Sequence, residues 1–274
     1  MITDIRKAEK QDIPVLCEIW KACFSDSEDY IRSFYKENFE RIEVLLCCID
    51  GKPVCMLHLL DAEFVNGGEI QKAKYMYAGG TLPEYRKNGC LGALLEYAKE
   101  RADKTGDALF FKPVSPTLTD YFKGHGYVID SYFKIATVLP GKVELIGFTD
   151  LSYKEYNLMR NSAFADIPYV RWDDEHLRWC VMENDYYSGR TLGVNLIGKE
   201  HFIMCYPDSD ALIINETDLS LNQLKQISGA LCEQFGTTQI KAYMHETCSE
   251  GESVISSFVY NTPLCKTYVN LILI

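Results

Sequence analysis

Apolar residues recur along the chain in two rhythms, and each rhythm predicts one kind of element. Apolar positions three and four residues apart, such as Leu16, Ile19, Trp20 and Cys23 after a capping Asp12, are typical of a helix with one buried face. This spacing predicts helices over 13–24, 28–39, 90–102, 152–164, 173–186 and 219–235. Apolar runs between turn residues predict strands over 2–6, 44–49, 53–60, 69–77, 107–113, 192–197, 201–206, 211–215, 238–244 and 266–273.

The order of these elements is similar in the two portions of the chain. In each, two helices precede strands joined by short turns, and a further helix and strand follow. Such a mixture of strands and helices predicts an α/β fold with a mixed sheet. The Pro140-Gly141 pair separates the two portions, so we predict two domains, 1–140 and 141–274.

Length and composition fit this architecture. The chain has 274 residues, of which 47% are hydrophobic and 24% charged, enough for one large or two modest domains. No stretch approaches the roughly 20 apolar residues of a membrane span. The start of the chain has no basic-then-apolar signal region. We therefore expect a cytoplasmic protein without membrane contact, whose oligomeric state is open.

Charge and cysteine usage narrow the chemistry. The net charge of −11 argues against a nucleic-acid partner. Residues 1–145 hold 19 Lys and Arg against 22 Asp and Glu, whereas residues 146–274 hold 9 against 17. An acidic surface concentrates cationic molecules, although it also simply keeps a protein soluble. The eleven cysteines form no C-x-x-C pair and the five histidines lack ligand spacing, so we predict reduced thiols and no metal.

The most informative stretch is a glycine-bearing loop between a predicted strand and a predicted helix. The loop follows Ala78 and carries Arg86 and Lys87 just before a helix that begins near Cys90. Backbone N–H groups and the helix dipole make such an N-terminus an anion site. The loop can be a pyrophosphate cradle or an ordinary turn with solvated basic residues. Neither G-x-x-x-x-G-K-[ST] nor G-x-G-x-x-G occurs, which argues against nucleotide hydrolysis and Rossmann dehydrogenases.

At this loop the chain resembles the GNAT superfamily of N-acetyltransferases. The family signature R/Q-x-x-G-x-G/A after a strand is approached by R-K-N-G-C-L-G over 86–92. Leu91 holds the second small position, and a glycine follows one residue later. Downstream, the segment 115–127 resembles the next helix of the family and its closing Y-x-x-x-G-[FY]. The resemblance covers about residues 1–140 in order and spacing.

The resemblance implies that acetyl-CoA, the donor substrate, fits into an opening beside the strand before the loop. Backbone groups at Gly79, Gly80 and Thr81 would meet the pantetheine and the thioester. Ser115 and Thr117 would flank the pantetheine on the opposite wall. An amine would attack the thioester directly while backbone N–H groups stabilise the oxyanion. The pyrophosphate would lie against Arg86, Lys87, Asn88, Gly89, Cys90, Leu91 and Gly92.

The acid that would protonate the leaving thiolate is where the chain departs from the family. Relatives often place a tyrosine four residues before the closing glycine, but Phe122 stands there and Tyr121 precedes it. Adjacent helical residues point about 100° apart. Tyr121 can therefore be the catalytic residue only after a local shift of the helix. The other two possibilities are that water protonates the leaving thiolate, or that the activity is weakened or lost. Three carboxylates lie near this stretch in sequence, at Glu69, Glu84 and Asp120. Each could help to deprotonate the attacking amine, or it could be an ordinary solvated side chain.

The second portion lacks the loop signature. Asp218, without any Arg-x-x-Gly, precedes its helix, and a carboxylate there would repel pyrophosphate. We interpret this portion as a degenerate GNAT-like domain that completes the fold and walls the amine site. The chain resembles tandem-domain acetyltransferases related to the enhanced-intracellular-survival proteins, some of which use their C-terminal carboxylate. Ile274 would do so only if the tail threads back to the active site.

These observations lead to three functional hypotheses. We expect an acetyl-CoA-dependent N-acyltransferase that acetylates the primary amine of a small, cationic acceptor. The alternative, supported by Phe122, is an acyl-CoA-binding regulatory protein with weakened turnover. A relative that uses another donor, such as an aminoacyl-tRNA, is disfavoured by the net charge of −11, because tRNA binding needs a basic surface.

Overall fold

The computed structural model of the chain describes residues 2–112, 118–143, 145–263 and 266–270. They belong to two compact units. The first unit comprises Met1–Glu63, Gln71–Val128 and Phe258–Pro263. The second comprises Phe64–Ile70, Ile129–Ser257 and Leu264–Ile274.

Both units contain helices and strands. The helices are α1 (Ile13–Cys23), α2 (Glu28–Asn38), α3 (Cys90–Thr105), α4 (Thr119–Gly124), α5 (Tyr153–Ala163), α6 (Asp174–Tyr186) and α7 (Leu221–Phe235). The strands are β1 (Ile2–Lys7), β2 (Glu43–Ile49), β3 (Lys52–Asn66), β4 (Glu69–Thr81), β5 (Ala108–Phe111), β6 (Val128–Val138), β7 (Phe148–Asp150), β8 (Tyr169–Arg171), β9 (Arg190–Leu196), β10 (Lys199–Asp208), β11 (Ala211–Thr217), β12 (Gln239–His245) and β13 (Glu252–Tyr260). Among the described residues, no helix is long and apolar enough to cross a membrane.

The predicted helices are present, and they begin and end within a few residues of the predicted positions. Capping residues close in sequence define several of these ends. Ser27 accepts a hydrogen bond from the backbone of Tyr30 at the start of α2. Asp12 is different from the expectation: its side chain makes no cap bond to α1. It pairs with Arg6 at 2.6 Å and accepts the N–H of Glu9 at 2.8 Å, so the carboxylate ties β1 to the turn before the helix.

The first unit is built on a sheet in the order β1-β2-β3-β4-β5, and Phe258–Tyr260 of β13 pair antiparallel with β5. β4 and β5 are parallel, because α3 crosses from one to the other. Helices α1 and α2 contribute an aromatic core. The ring of Trp20 lies 4.9 Å from that of Phe34 and 5.6 Å from that of Tyr77, all of them buried.

The second unit has a similar sequence of elements. Its sheet runs in the order β13-β6-β12-β11-β10-β9-β7, and β11 and β12 are parallel around the crossover helix α7. Leu224, Ile227 and Leu231 of α7 are fully buried against this sheet. A buried ion pair joins Arg160 Nε and Glu216 Oε2 at 2.9 Å. The predicted meander, helix and parallel strand therefore occur in both units.

The predicted strand over 266–273 is wrong for the residues that the structure describes. In 266–270 there is only an isolated bridge, between Tyr169 and Tyr268. The carboxylate of Asp130 accepts the N–H groups of Lys266 and Thr267, both at 2.9 Å, and the backbone of Tyr268 exchanges hydrogen bonds with Pro168 and Val170 at 2.8 and 2.9 Å. The apolar pattern missed four strands, namely β13, which is rich in serine, the long β6, and the short β7 and β8.

The compact units divide the chain differently from the predicted domains 1–140 and 141–274. The first unit ends at Val128, so most of β6 belongs to the second. Phe258–Pro263, far along the sequence, belong to the first, because Phe258–Tyr260 pair with β5. The predicted ranges describe a duplication along the sequence, and as domain boundaries they stay a prediction.

Candidate functional site

The central feature of the first unit is an opening between β4 and β5. Their ladder joins Ala73 to Ala108, Lys74 to Leu109 and Tyr75 to Phe110. β4 then continues to Thr81 without a further pair to β5 among the described residues. Its last residues therefore extend past the described ladder with β5, and we call this region the opening.

Close packing at the end of β4 explains its two glycines. A Cβ on Gly80 would lie 2.9 Å from the thiol sulfur of Cys23, and one on Gly79 would lie 3.2 Å from Leu57. Thr81 continues this contact: its carbonyl accepts the Cys23 thiol at 3.3 Å, and its hydroxyl donates to the sulfur of Cys55 at 3.1 Å. The backbone of Gly79, Gly80 and Thr81 is thus held in place at the opening.

The loop after β4 leads into a helix whose first turn has no side-chain cap. Gly89 is the N-cap of α3 with φ of 77°, and Lys87 has φ of 65°, so the backbone turns sharply before Cys90. Arg86 Nε donates to the carbonyl of Thr81 at 3.2 Å, which ties the loop to the end of β4. Asn88 donates to the carbonyl of Tyr85 at 3.2 Å. Uncapped N–H groups, the helix dipole and two exposed cations are the features that favour anion binding at a helix N-terminus.

Helix α4 sends Tyr121 and Phe122 in different directions. The ring of Phe122 is buried, 4.4 Å from Phe111. Tyr121 is 38% exposed, and its hydroxyl lies 3.4 Å from the position of a Cβ on Gly92, in the first turn of α3. Burial raises the pKa of Tyr121, with smaller contributions from Cys55 and Glu96, so the phenol is protonated at neutral pH.

A histidine and a glutamate that sequence reasoning missed lie beside Tyr121. Nδ1 of His125 is 2.9 Å from Oε1 of Glu96, and the rings of His125 and Tyr121 are 4.7 Å apart. His125 Cε1 would be only 2.9 Å from a Cβ on Gly92, so a larger residue at this position would displace the imidazole. The two residues are 29 apart in sequence, and no local motif could have linked them.

The other residues expected at the site are not all brought together. Glu69 begins β4, at the opposite end of the strand from the opening. Glu84 and Asp120 are exposed, in the turn before the loop and in the first turn of α4. Ser115, Thr117 and the C-terminal Ile274 lie outside the described residues. No group of three or more His, Cys, Asp or Glu positioned to hold a metal occurs among the residues that the structure describes.

The corresponding turn of the second unit is built differently. The hydroxyl of Ser220 accepts the N–H of Gln223, and the Gln223 side chain accepts the N–H of Ser220 at 2.9 Å, a capping box at the start of α7. Asp218 accepts the N–H of Phe202 and lies 2.9 Å from Nδ1 of His201. Side chains therefore occupy the amide groups that α3 leaves available, and a carboxylate stands where α3 has cations.

The opening, the uncapped helix and their connecting loop fall within a single match to a known family. Residues 4–128 match the family model described as an acetyltransferase (GNAT) domain. These residues are similar to a GNAT acetyltransferase domain. The opening lies at the end of β4, and the loop that carries the motif over 86–92 connects it to the first turn of α3.

Solved structures extend the GNAT likeness to most of the chain. A GCN5-related N-acetyltransferase from Anabaena variabilis is 14% identical with a TM-score of 0.70, covering 93% of this chain and 72% of that one. Eis1 from Mycobacterium abscessus is 11% identical with a TM-score of 0.64, covering 94% and 73%. N-myristoyltransferase from Saccharomyces cerevisiae, solved with bound myristoyl-CoA, is 9% identical with a TM-score of 0.61, covering 98% and 85%.

These likenesses show the fold. The mixed α/β architecture expected for a two-domain GNAT protein is confirmed, as is the similarity to the enhanced-intracellular-survival type. A search of curated protein sequences found no significant match. Residues 4–128 are therefore similar to a GNAT acetyltransferase domain, and most of the chain shares the fold of solved GNAT structures.

Proposed function

We propose that the protein transfers an acetyl group from acetyl-CoA to the primary amine of a small, cationic acceptor. The observation that carries this proposal is the opening between β4 and β5, which leads along Gly79–Thr81 to the uncapped first turn of α3. A pantetheine arm is long, narrow and ends in a pyrophosphate. An open strand edge followed by an anion site suits both of its parts.

Each part of the site has an expected role in this reaction. Arg86, Lys87 and the N–H groups from Asn88 to Gly92 bind the pyrophosphate. Backbone N–H groups at Gly79–Thr81 stabilise the oxyanion as the amine attacks the thioester. Tyr121 is the proposed acid that protonates the leaving thiolate. Its position against Gly92 and its protonated phenol support this role, and buried Phe122 has no proton to give.

The proposed class of acceptor rests on the charge of the protein, and the proposed donor rests on a similar structure with a bound CoA thioester. The net charge of −11, with the greater excess of carboxylates in 146–274, favours a cationic amine. Myristoyl-CoA in the yeast N-myristoyltransferase supports a CoA thioester as the donor for this fold. The similarities to acetyltransferases do not favour the alternative of a regulatory protein without turnover.

Titration calorimetry with acetyl-CoA tests the binding step. We expect micromolar binding by the wild type and at least roughly tenfold weaker binding by Arg86→Ala/Gly89→Glu, equal to about 1.4 kcal/mol. The matched control is Lys72→Ala/Gly67→Glu, which changes an exposed lysine and a glycine with φ of 56° near the start of β4. We expect wild-type affinity for the control. Absence of binding by the wild type would overturn the proposal.

A screen of amines then tests the transfer step. We expect acetylation of small polyamines or other cationic amines in preference to neutral or anionic ones, with the preference weakening at high salt because charges are screened. Equal rates for cationic and anionic acceptors would contradict the proposed acceptor class. They would leave the acetyl-CoA proposal standing.

A further inference from the structure

We propose that His125, held by Glu96, is a positioning residue that relays a proton to Tyr121 during acyl transfer. The inference rests on the proposed function, because it requires Tyr121 to protonate the leaving thiolate. It assigns a use to two side chains of the first unit that lie outside the cofactor motif.

The two rings converge on one point above the first turn of α3. The hydroxyl of Tyr121 lies 3.4 Å and Nε2 of His125 lies 3.2 Å from the position that a Cβ on Gly92 would occupy. The ring centroids are 4.7 Å apart with an interplanar angle of 64°. Because Gly92 has no side chain, nothing from that residue separates the two polar atoms. The two atoms make no direct hydrogen bond, so in the proposed relay the proton passes between them through one water molecule in this space.

Glu96 decides which imidazole nitrogen faces Tyr121. Its carboxylate lies 2.9 Å from Nδ1 of His125, and Lys99 donates both to Glu96 at 3.1 Å and to the backbone carbonyl of His125 at 2.7 Å. Hydrogen bonds from His125 and then Lys99 hold the pKa of Glu96 below its usual range, so Glu96 is an anion at neutral pH. An anionic carboxylate accepts the Nδ1 proton, which leaves Nε2 to exchange protons.

The charged and titratable groups around the pair come from three elements. Helix α3 contributes Glu96 and Lys99. From β13, the ring of Tyr260 lies 4.9 Å from Lys99 Nζ, and its hydroxyl donates to Asp103 of α3 at 2.9 Å. From β3, Cys55 adds to the raised pKa of Tyr121. Half of the Glu96 side chain is exposed, so water can return protons to the imidazole.

The proton balance of the step is complete. The neutral amine of the acceptor forms a bond to the thioester carbonyl carbon, and the carbon–sulfur bond breaks. The leaving thiolate takes the phenol proton of Tyr121 and departs as a thiol. The tyrosinate takes a proton from the bridging water, and that water takes the Nε2 proton of the His125 imidazolium. The new amide releases the extra proton of the attacking nitrogen to water, and water returns one proton to His125.

A double-mutant cycle on acetyl transfer by the full chain tests the relay. His125→Asn retains a polar group near Glu96 but cannot titrate. We expect it to lower kcat by roughly 10- to 100-fold, at the low end of the range for general acid–base catalysis. The KM for acetyl-CoA stays unchanged, and the limb of the pH profile of kcat that depends on His125 disappears. In a Tyr121→Phe background the same change has no further effect, because the relay has lost its target.

Two further measurements separate a relay from a structural role. The ¹⁵N chemical shift of His125 Nε2 changes in Tyr121→Phe but not in Tyr132→Phe, an exposed tyrosine of the second unit. Glu96→Gln lowers kcat, whereas Glu100→Gln, one turn along α3 and exposed, does not. His245→Asn, which removes an imidazole bonded to Thr247, keeps wild-type kcat.

The outcomes distinguish this inference from the proposed function. If the wild type transfers acetyl groups and His125→Asn does so at the same rate, or if the two changes multiply in the cycle, the relay is overturned and the function stands. If His125→Asn raises the KM or weakens calorimetric binding of acetyl-CoA instead of lowering kcat, His125 is a cofactor contact and not a relay. If the wild type transfers no acetyl group, both proposals fail together.

Discussion

At the scale of single residues, a buried histidine of the first unit has the clearest consequence for stability. His58 is fully buried, and its ring lies 5.2 Å from that of Trp20 and 5.9 Å from that of Phe34. Its Nε2 is 2.9 Å from the hydroxyl of Tyr35. Burial lowers the pKa of His58 to about 4, because an imidazolium would lose its hydration in this aromatic core.

We predict that the protein loses stability as the pH falls below 6.5, where the histidine of the unfolded chain takes up a proton that the folded chain excludes. The folded-state pKa of about 4 is below the unfolded value of 6.5, so the stabilisation is complete above pH 6.5 and is lost as the pH falls towards 4. From pH 7.5 to pH 5 this amounts to about 2 kcal/mol of unfolding free energy. Denaturant unfolding at the two pH values measures it.

The control for this prediction is a variant that cannot titrate at this position. His58→Gln is expected to be less stable at pH 7.5, since the amide fits the aromatic core poorly, but to lose about 2 kcal/mol less than the wild type between the two pH values. A variant with the same pH dependence as the wild type would show that the acid sensitivity comes from other groups.

At the scale of elements, two crossover helices with similar positions in their units begin in different ways. The first turn of α7 is closed by the reciprocal bonds of Ser220 and Gln223, whereas α3 begins at Gly89 without any side-chain cap. A helix without a cap gives up stability at its N-terminus, but its amide groups are free to bind an anion. The capped N-terminus of α7 therefore adds to the stability of the second unit, whereas the uncapped N-terminus of α3 is suited to binding an anion.

We predict that Ser220→Ala lowers the unfolding free energy by about 1 kcal/mol, the usual cost of losing an N-cap. The affinity for acetyl-CoA should not change. Ser209→Ala is the matched control, because its hydroxyl bonds only the neighbouring Asp208 in an exposed turn. Chemical denaturation measures both variants; if Ser220→Ala and Ser209→Ala had equal stability, the cap would contribute nothing.

At the scale of the whole molecule, the first unit is not continuous in sequence. Phe258–Tyr260 add a strand beside β5, and the ring of Phe258 stacks on that of Phe111 at 5.4 Å. The side chain of Asn261 donates to the carbonyls of Ala102 and Asp107 at 3.2 and 2.9 Å, and the hydroxyl of Tyr260 donates to Asp103. A short segment near the end of the chain thus completes the unit that carries the site.

We predict that a fragment of residues 1–140 does not fold stably by itself. Without Phe258–Tyr260, the edge of β5 would be unpaired and the buried face of Phe111 exposed, which favours aggregation. Circular dichroism and solubility of the fragment, compared with its coexpression together with residues 141–274, test this. A soluble, cooperatively folding fragment would contradict the prediction and support the sequence-based boundary at 140.

Much of the fold could be predicted from the sequence, because helices and strands depend on neighbours close along the chain. The apolar rhythm located α2 and the strands of both meanders, although β3 and β4 end six and four residues later than predicted. The anion site at the loop over 86–92 stays a prediction. The exceptions are strands whose partners are distant. Serine-rich β13 lacks an apolar rhythm, and the apolar segment 266–270 contacts β8 only through an isolated bridge at Tyr268.

The sequence by itself therefore determined the class of fold, the duplicated order of elements and the motif that leads to the GNAT family, all of which depend on local patterns. Only the tertiary structure decided which side chain of α4 faces the first turn of α3. It placed Phe122 in the core against Phe111, turned Tyr121 towards Gly92 and brought His125 to Glu96. These contacts depend on how α4 packs against α3 and β5, and residues far apart in sequence meet only after that packing has formed.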